Sequence, residues 1–302
     1  MNGGYMKHTL YCGSYGNEGI YQVEEENGFF SQPQLFSRIS GTKYLCVDQE
    51  HIVSLYSEGK GKSGVAVLDK QGNMLASLIY EDILSCFVSS KDGNILTANY
   101  HEGTFSFLKY ESGEIILKKK VLIKEKAGCH QLFAFKEYYL GFALNMDTVY
   151  VFDQNYDCMY RIAFPTGSGP RHGTVSEDGK WLYVVSELSN EVYLVSTEDW
   201  TVKDRVQLTD QKTDGSAAIR LYENRLYVSV RGLDKVYEIA IEKDLLKVIA
   251  SYDSGGKHPR DMIVIDGVVI CANTHSSMLV SVSRDGVIDS VDIPEAVTVD
   301  WV

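Results

Sequence analysis

Seven hydrophobic runs, each ending at a corner residue, return along this chain at a nearly constant spacing, and that period constrains the fold more than any motif does. The corners are Tyr15 in YCGSY, Glu58 in VSLYSE, Tyr100 in ILTANY, Asn145 in LGFALN, Glu187 in LYVVSE, Arg231 in LYVSVR and Thr274 in VICANT. The steps between them are 43, 42, 45, 42, 44 and 43 residues. A strand-rich repeat of about 40–50 residues is the signature of a β-propeller with four strands per blade. Seven corners therefore predict an all-β, seven-bladed propeller of four antiparallel strands per blade, filling residues 1–302 as a single domain. A length of 302 residues would by itself suggest about two domains. The unbroken period overrides that, since no Pro-rich linker or low-complexity stretch interrupts it.

Within a repeat the strand pattern is legible. HGTVSEDGKWLYVVSELSNEVYLVSTEDWTVKDRVQL holds four strands, with turns at EDGK, ELSN and TEDW. Asp178-Gly179 reads as a two-residue hairpin turn, because such turns need positive φ that Asp and Gly tolerate. Asp92-Gly93 and Asp266-Gly267 fall at the same place two repeats away on either side. The chain starts in mid-blade: KHTLYCGS precedes the first corner and so corresponds to a second strand. The C-terminal AVTVDWV is the strand-like segment left to serve as the innermost strand of that blade and to close the ring.

Composition narrows the partners. A formal net charge of −12 argues against nucleic acid or an anionic membrane, both of which select basic surfaces. Lys118, Lys119 and Lys120 form a basic tract, but at an outer strand of the third blade they read as a solvated edge protected against pairing. The first twenty residues contain no apolar stretch of signal-peptide length, and no segment has the length of a membrane span. The six cysteines have no CxxC or paired spacing. A cytoplasmic monomer or weak homo-oligomer is the expectation.

Topology selects candidate site residues. In an antiparallel four-stranded blade the start of the innermost strand and the end of the second strand face the same side of the disc. The starts of innermost strands are Cys129-His130-Gln131, Pro170-Arg171-His172 and Pro259-Arg260-Asp261; the ends of second strands are the corners. His130, Arg171, His172, Glu187, Arg231 and Arg260 are thus expected on one rim, with the corners Tyr100 and Glu58 as further substrate-binding positions. Arginine offers fork-like recognition of carboxylate or phosphate, and a nearby His or Glu can move a proton. The set suits a small anionic molecule undergoing acyl hydrolysis or proton transfer. Arg171, Arg260 and Glu187 are also open to a second use, as ion-paired struts between blades. His8, His51, His101, His258 and His275 lack metal-ligand spacing, and no Gly-rich phosphate loop, GxSxG or HExxH is present. No cofactor or metal is expected.

Two segments carry a family resemblance. GSGPRHGTVSEDGKWLYVVSELSNEVYLV (residues 167–195) is similar to the G-x-GPRH…PDGK-x-LYVVNEL segment of the seven-bladed lactonase family. GGKHPRDMIVIDGVVICANTHSSMLVSV (residues 255–282) resembles that family's GG-x-x-PRDF…ANQ-x-S segment. YCGSYGNEGIYQV, TANYHEGTFSFL and SVRGLDKVYEI are weaker echoes, so the likeness spans the chain. Members include propeller-type 6-phosphogluconolactonases and fungal carboxymuconate-lactonizing enzymes. The resemblance implies that the catalytic groups are His130, Arg171, Glu187 and Arg260. This chain departs from the family at Cys129-His130, where Pro-His is usual, at Ser186 in place of the Asn of NEL, and at Ala143-Leu144-Asn145 in place of Asp-Leu-Gly.

The expectation is a lactone hydrolase acting on an anionic sugar lactone of the 6-phosphogluconolactone kind. Arg171 and Arg260 would hold the phosphate or the developing oxyanion, and His130 or Glu187 would handle the proton. A muconate-type lactonizing cycloisomerase and a non-catalytic propeller binding a small anion or a protein on the same rim are the alternatives.

Overall fold

A computed structural model describes residues 6–15, 18–211 and 215–302. Residues 1–5 of the N-terminal segment, and Gly16 and Asn17 of the YCGSYGNEGI motif, lie outside that set. The described residues form seven antiparallel sheets, and their helical content is three single 3-10 turns at Leu144–Met146, Arg231–Leu233 and Thr274–Ser276. The sheets follow one another around a ring as blades. Six have four strands in sequence order. The first takes its innermost strand, Ala296–Trp301, from the far end of the chain and pairs it with His8–Ser14, followed by Ile20–Glu26 and an outer edge divided between Phe29–Phe30 and Gln34–Ser37. The closing register runs from Leu10 opposite Trp301 to Ser14 opposite Ala296, as the mid-blade start predicts.

The core explains the apolar runs. Successive side chains in a strand point to opposite faces, and each blade has a neighbour on both faces, so central strands are apolar throughout. Seven separate clusters result, one at each junction between blades. Tyr183, Val185 and Leu194 of the fifth blade pack on Ile219, Leu226 and Val228 of the sixth. Leu10, Cys12 and Val23 of the first pack on Ile263, Ile270 and Leu279 of the seventh. At Asp92-Gly93 both φ angles are positive (51° and 74°), as they are at Asp266-Gly267 (49° and 80°). These are the expected tight turns. Asp178-Gly179 differs: the connection runs from Val175 to Trp181, and only Gly179 has positive φ. The Asp178 carboxylate instead accepts from the Ser176 hydroxyl and the Lys180 N–H, which stabilises a longer turn.

Charged groups on the innermost strands tie the closing strand to its neighbours. Asp261 of the seventh blade accepts from Arg220 Nη2 at 2.7 Å and from the Thr298 hydroxyl at 2.8 Å. Asp300 accepts from the Val47 N–H of the second blade at 2.9 Å. Burial pushes the Asp300 carboxyl up to about 6, against the pull of the Val47 and Trp301 N–H groups and Arg220. The folded chain therefore holds that proton more tightly than the unfolded one between about pH 4 and 6, so this group withdraws stability as pH rises through that window. Asp300→Asn keeps an acceptor for Val47 but cannot ionise. Its melting temperature should gain on that of the wild type by a few degrees, on the order of 2–5 °C, as pH goes from 4 to 7. A gap that stays constant with pH would show that Asp300 does not titrate in this way.

Candidate active site on the channel rim

The innermost strands place their first residues at the channel mouth by a repeated irregularity. The ladder skips His130 between Cys129 and Gln131, Arg171 between Pro170 and His172, and Arg260 between Pro259 and Asp261. A bulge of this kind re-aims the extra side chain away from the sheet's own alternation. Three blades thereby send a His and two Arg toward one opening.

The fourth and fifth blades share a buried hydrogen-bond chain. His130 Nδ1 lies 3.1 Å from His172 Nε2, and Arg171 Nη1 lies 3.4 Å from His172 Nδ1. A guanidinium only donates, so His172 Nδ1 is the acceptor and its proton sits on Nε2. That N–H donates to His130 Nδ1, which leaves His130 protonated on Nε2. Burial pushes both imidazoles well below their ordinary range, and the surrounding guanidiniums of Arg171 and Arg260 push in the same direction. Both rings are neutral at neutral pH. Phe87 and Tyr44 meet the edge of His172, and Tyr100 meets His130 at 6.0 Å between ring centroids.

Glu187 sits between two cations. Arg231 Nη2 is 2.9 Å from one carboxylate oxygen, and Arg171 Nε is 2.8 Å from the other, close enough for an ion pair but angled off a hydrogen bond. Burial raises the Glu187 carboxyl, but Arg171, Arg231 and Arg260 more than offset it, and the net effect is downward. It is held ionised. Arg231 also donates from Nε to the Gly215 carbonyl at 3.1 Å. Arg171 is 1% exposed and donates to the Ala217 carbonyl at 2.5 Å. Burial, with Arg231 and Arg260 nearby, lowers it to about 10 even though Glu187 pulls the other way.

The six rim residues expected from topology are therefore found at the same end of the channel, but in different settings. His130, His172, Arg171, Glu187 and Arg231 form one connected network, with Tyr100 as its wall. Arg171 lies beneath the rim, its Nε and Nη1 turned to protein partners, so a direct clamp on a substrate is not the arrangement seen. Arg260 stands apart, its Cζ 5.0 Å from the centroid of the Tyr15 ring. Glu58 is the residue that does not join. Its strand, Ile52–Gly59, runs past the corner, and Glu58 is exposed in an outer cleft with Arg38, Tyr56 and Met74.

Sequence reasoning passed over Lys43 and Tyr15. Lys43 Nζ approaches the same Tyr15 ring to 5.8 Å from its centroid, so that ring has two cations beside it. A signal was available: SGTKYLCV (residues 40–47) has the spacing of SGPRHGTV (residues 168–175), with Lys43 in the place of Arg171. A larger cleft, of about 570 Å³ between Asp48, His51, Asp92 and Tyr110, lies at the hairpin end of the second and third blades, on the other face.

Comparison with known proteins adds a family. The family described as "Lactonase, 7-bladed beta-propeller" matches residues 9–299. A 6-phosphogluconolactonase of Bacillus subtilis is 28% identical over 321 residues, covering 92% of each chain. An uncharacterized protein of Staphylococcus saprophyticus is 28% identical over 344 residues, covering 98% of this chain and 99% of its own. Among solved structures, a Pseudomonas aeruginosa periplasmic gluconolactonase aligns with a TM-score of 0.89 at 19% identity, over 98% of this chain and 99% of that one. A Lactobacillus plantarum protein aligns at 0.87 and 22% identity, over 98% and 100%. At these identities the structural likeness speaks to the fold.

Proposed function

Because the chain belongs to the seven-bladed β-propeller lactonase family, we propose that it hydrolyses the ring ester of a sugar lactone bearing an anionic substituent, of the 6-phosphogluconolactone kind. The observation that carries this reading is the polarity of the buried chain from Arg171 through His172 to His130. It presents His130 Nε2–H to the rim as a fixed, neutral donor, beside a carboxylate that stays ionised and a guanidinium on the far side of the opening. Donors set in advance toward a developing oxyanion are the largest single source of rate in acyl transfer.

In the reaction, water adds to the lactone carbonyl carbon and its proton passes to the Glu187 carboxylate. The carbonyl oxygen becomes an oxyanion held by His130 Nε2–H. The ring C–O bond then breaks, and the ring oxygen takes the proton from Glu187, giving a hydroxy acid. Arg171 and Arg231 are positioning residues: they fix Glu187, and Arg171 sets the tautomer of the histidine pair. A carboxylate between two guanidiniums is a weak base, which a ring-strained ester tolerates better than an amide would.

That same placement of Glu187 between Arg171 and Arg231 favours the rival reading, a binding module in which the Glu187–Arg231 ion pair joins the fifth blade to the sixth. Hydrolysis assays separate the two. Purified protein should open 6-phosphogluconolactone faster than plain gluconolactone, with spontaneous hydrolysis subtracted. No turnover above background on either lactone would sink the hydrolase reading.

A further inference from the structure

We infer that Lys43 and Arg260, which share the Tyr15 ring as a neighbour, form the subsite for the anionic substituent of the substrate, and that Lys43 sets the preference for a phosphorylated over a plain lactone. This rests on the hydrolase reading for its substrate, but the subsite itself stands on four observations.

The first is placement. Lys43 occupies the blade-two counterpart of His130, Arg171 and Arg260. Gly41, with φ of 89°, and Gly169, with φ of 67°, turn the chain in the same left-handed way two residues before Lys43 and Arg171. The backbone around Lys43 is held by Ser57 N–H to the Ser40 carbonyl and by Leu55 N–H to the Tyr44 carbonyl, leaving Lys43 itself between the two contacts. The second is the absence of a counter-ion. Among the described residues, no carboxylate lies within ion-pair distance of Lys43 or Arg260, whereas Arg171, Arg231, Arg220, Arg225 and Arg284 each have one. Two half-buried cations facing one ring without an anion are a costly arrangement that an anion would relieve.

The third is electrostatic. Burial lowers the Lys43 ammonium, and Arg260 lowers it further, so the two cations feel each other. The fourth is room. A cleft of about 360 Å³ opens beside Lys43, lined by Tyr15, Lys43, Ser57, Lys60, Ser63 and Asp82 among others, and Arg260 lies next to it through the shared Tyr15 ring. It is large enough for a phosphoryl group and its linking carbon, and its two lysines and three serines supply donors. Asp82 at its far wall is the one carboxylate among the cleft's residues, and it is not paired with either lysine. Since ion-assisted hydrogen bonds are strong where both partners are partly desolvated, the ammonium would discriminate between phosphate and hydroxyl at that position of the sugar.

The test uses the full chain and two variants, Lys43→Met, which keeps length without charge, and Lys43→Arg, which keeps the charge. In wild type, kcat/KM for the phosphorylated lactone should exceed that for the plain lactone. Lys43→Met should shrink this ratio by on the order of ten- to a hundredfold, chiefly through KM, and Lys43→Arg should restore most of it. Isothermal titration with inorganic phosphate, which needs no turnover, should show binding to wild type and a loss of on the order of tenfold or more in Lys43→Met. If neither lactone is hydrolysed but phosphate binding depends on Lys43, the hydrolase reading fails and the subsite stands. If lactones are hydrolysed with an unchanged ratio in Lys43→Met, or if wild type binds no phosphate, the subsite is wrong.

Discussion

Removing residues 296–302 should lower the melting temperature by roughly 10–20 °C or abolish cooperative unfolding altogether. The closing strand supplies the inner ladder of the first blade, from Leu10 opposite Trp301 to Ser14 opposite Ala296. Ala296, Val297 and Val299 are fully or almost fully buried, and burying two valines and an alanine contributes on the order of 5 kcal/mol. Deletion also strips Asp261 of the Thr298 hydroxyl and leaves the His8–Ser14 strand as an open edge facing the channel. Against a net stability of about 5–15 kcal/mol for a folded domain, these losses together are decisive. Thermal unfolding followed by circular dichroism checks this. A truncated chain that melts like the full one would mean that the ring is held closed by the junction clusters without the shared blade.

His130→Phe should reduce kcat by about 10²–10³ with the fold intact, the usual loss when one oxyanion donor is removed. The ring volume is kept while the donor to substrate and the acceptor for His172 both go. His130→Gln is the informative companion, since an amide N–H can still donate but cannot shuttle a proton. If His130 acts as a fixed donor, the Gln variant should recover a large part of the lost rate. The pH profile gives an independent reading. With His130 neutral and its pKa pushed well below the ordinary imidazole range, activity should be flat across neutrality, and any acid limb should lie well below it. A limb at pH 6–7 that vanishes in His130→Gln would instead make His130 a titrating acid or base, and the relay from Arg171 would be wrong.

The ring was legible because propeller blades repeat a local pattern whose corners survive even where the turns do not. AVTVDWV could be assigned to the first blade because the chain begins with a second strand. Asp178-Gly179 was less legible, since an Asp-Gly pair suits both a tight turn and the five-residue connection that the Asp178 carboxylate stabilises. The rim residues followed from strand direction alone. What topology could not give was their partnership. Whether Arg171 faces solvent or lies under Glu187 depends on the bulge and on the neighbouring blade, and neither is written in the local sequence. Glu58 lies apart from the network because its strand extends past the corner to Gly59, where the side chain is exposed. Lys43 escaped because it lacks the Pro-Arg pair that drew attention to the fifth and seventh blades.

The bulge that opens the innermost strands separates chemistry from architecture. Val297, Lys43, Cys86, His130, Arg171, Ala217 and Arg260 stand at corresponding points, one per blade. Apart from Cys86, at the margin of the junction between the third and fourth blades, none belongs to the clusters that bind blade to blade. Lys43 and Arg260 are half-buried at the mouth, so a substitution there changes what the channel offers a ligand, whereas Ala217 and Val297 are fully buried and a larger side chain there must displace its neighbours. The ring thus behaves as a lock in which the tumblers at Lys43 and Arg260 stand apart, while those at His130 and Arg171 are coupled through His172. Lys43 and Arg260, the two half-buried members, are the places where a designer would begin.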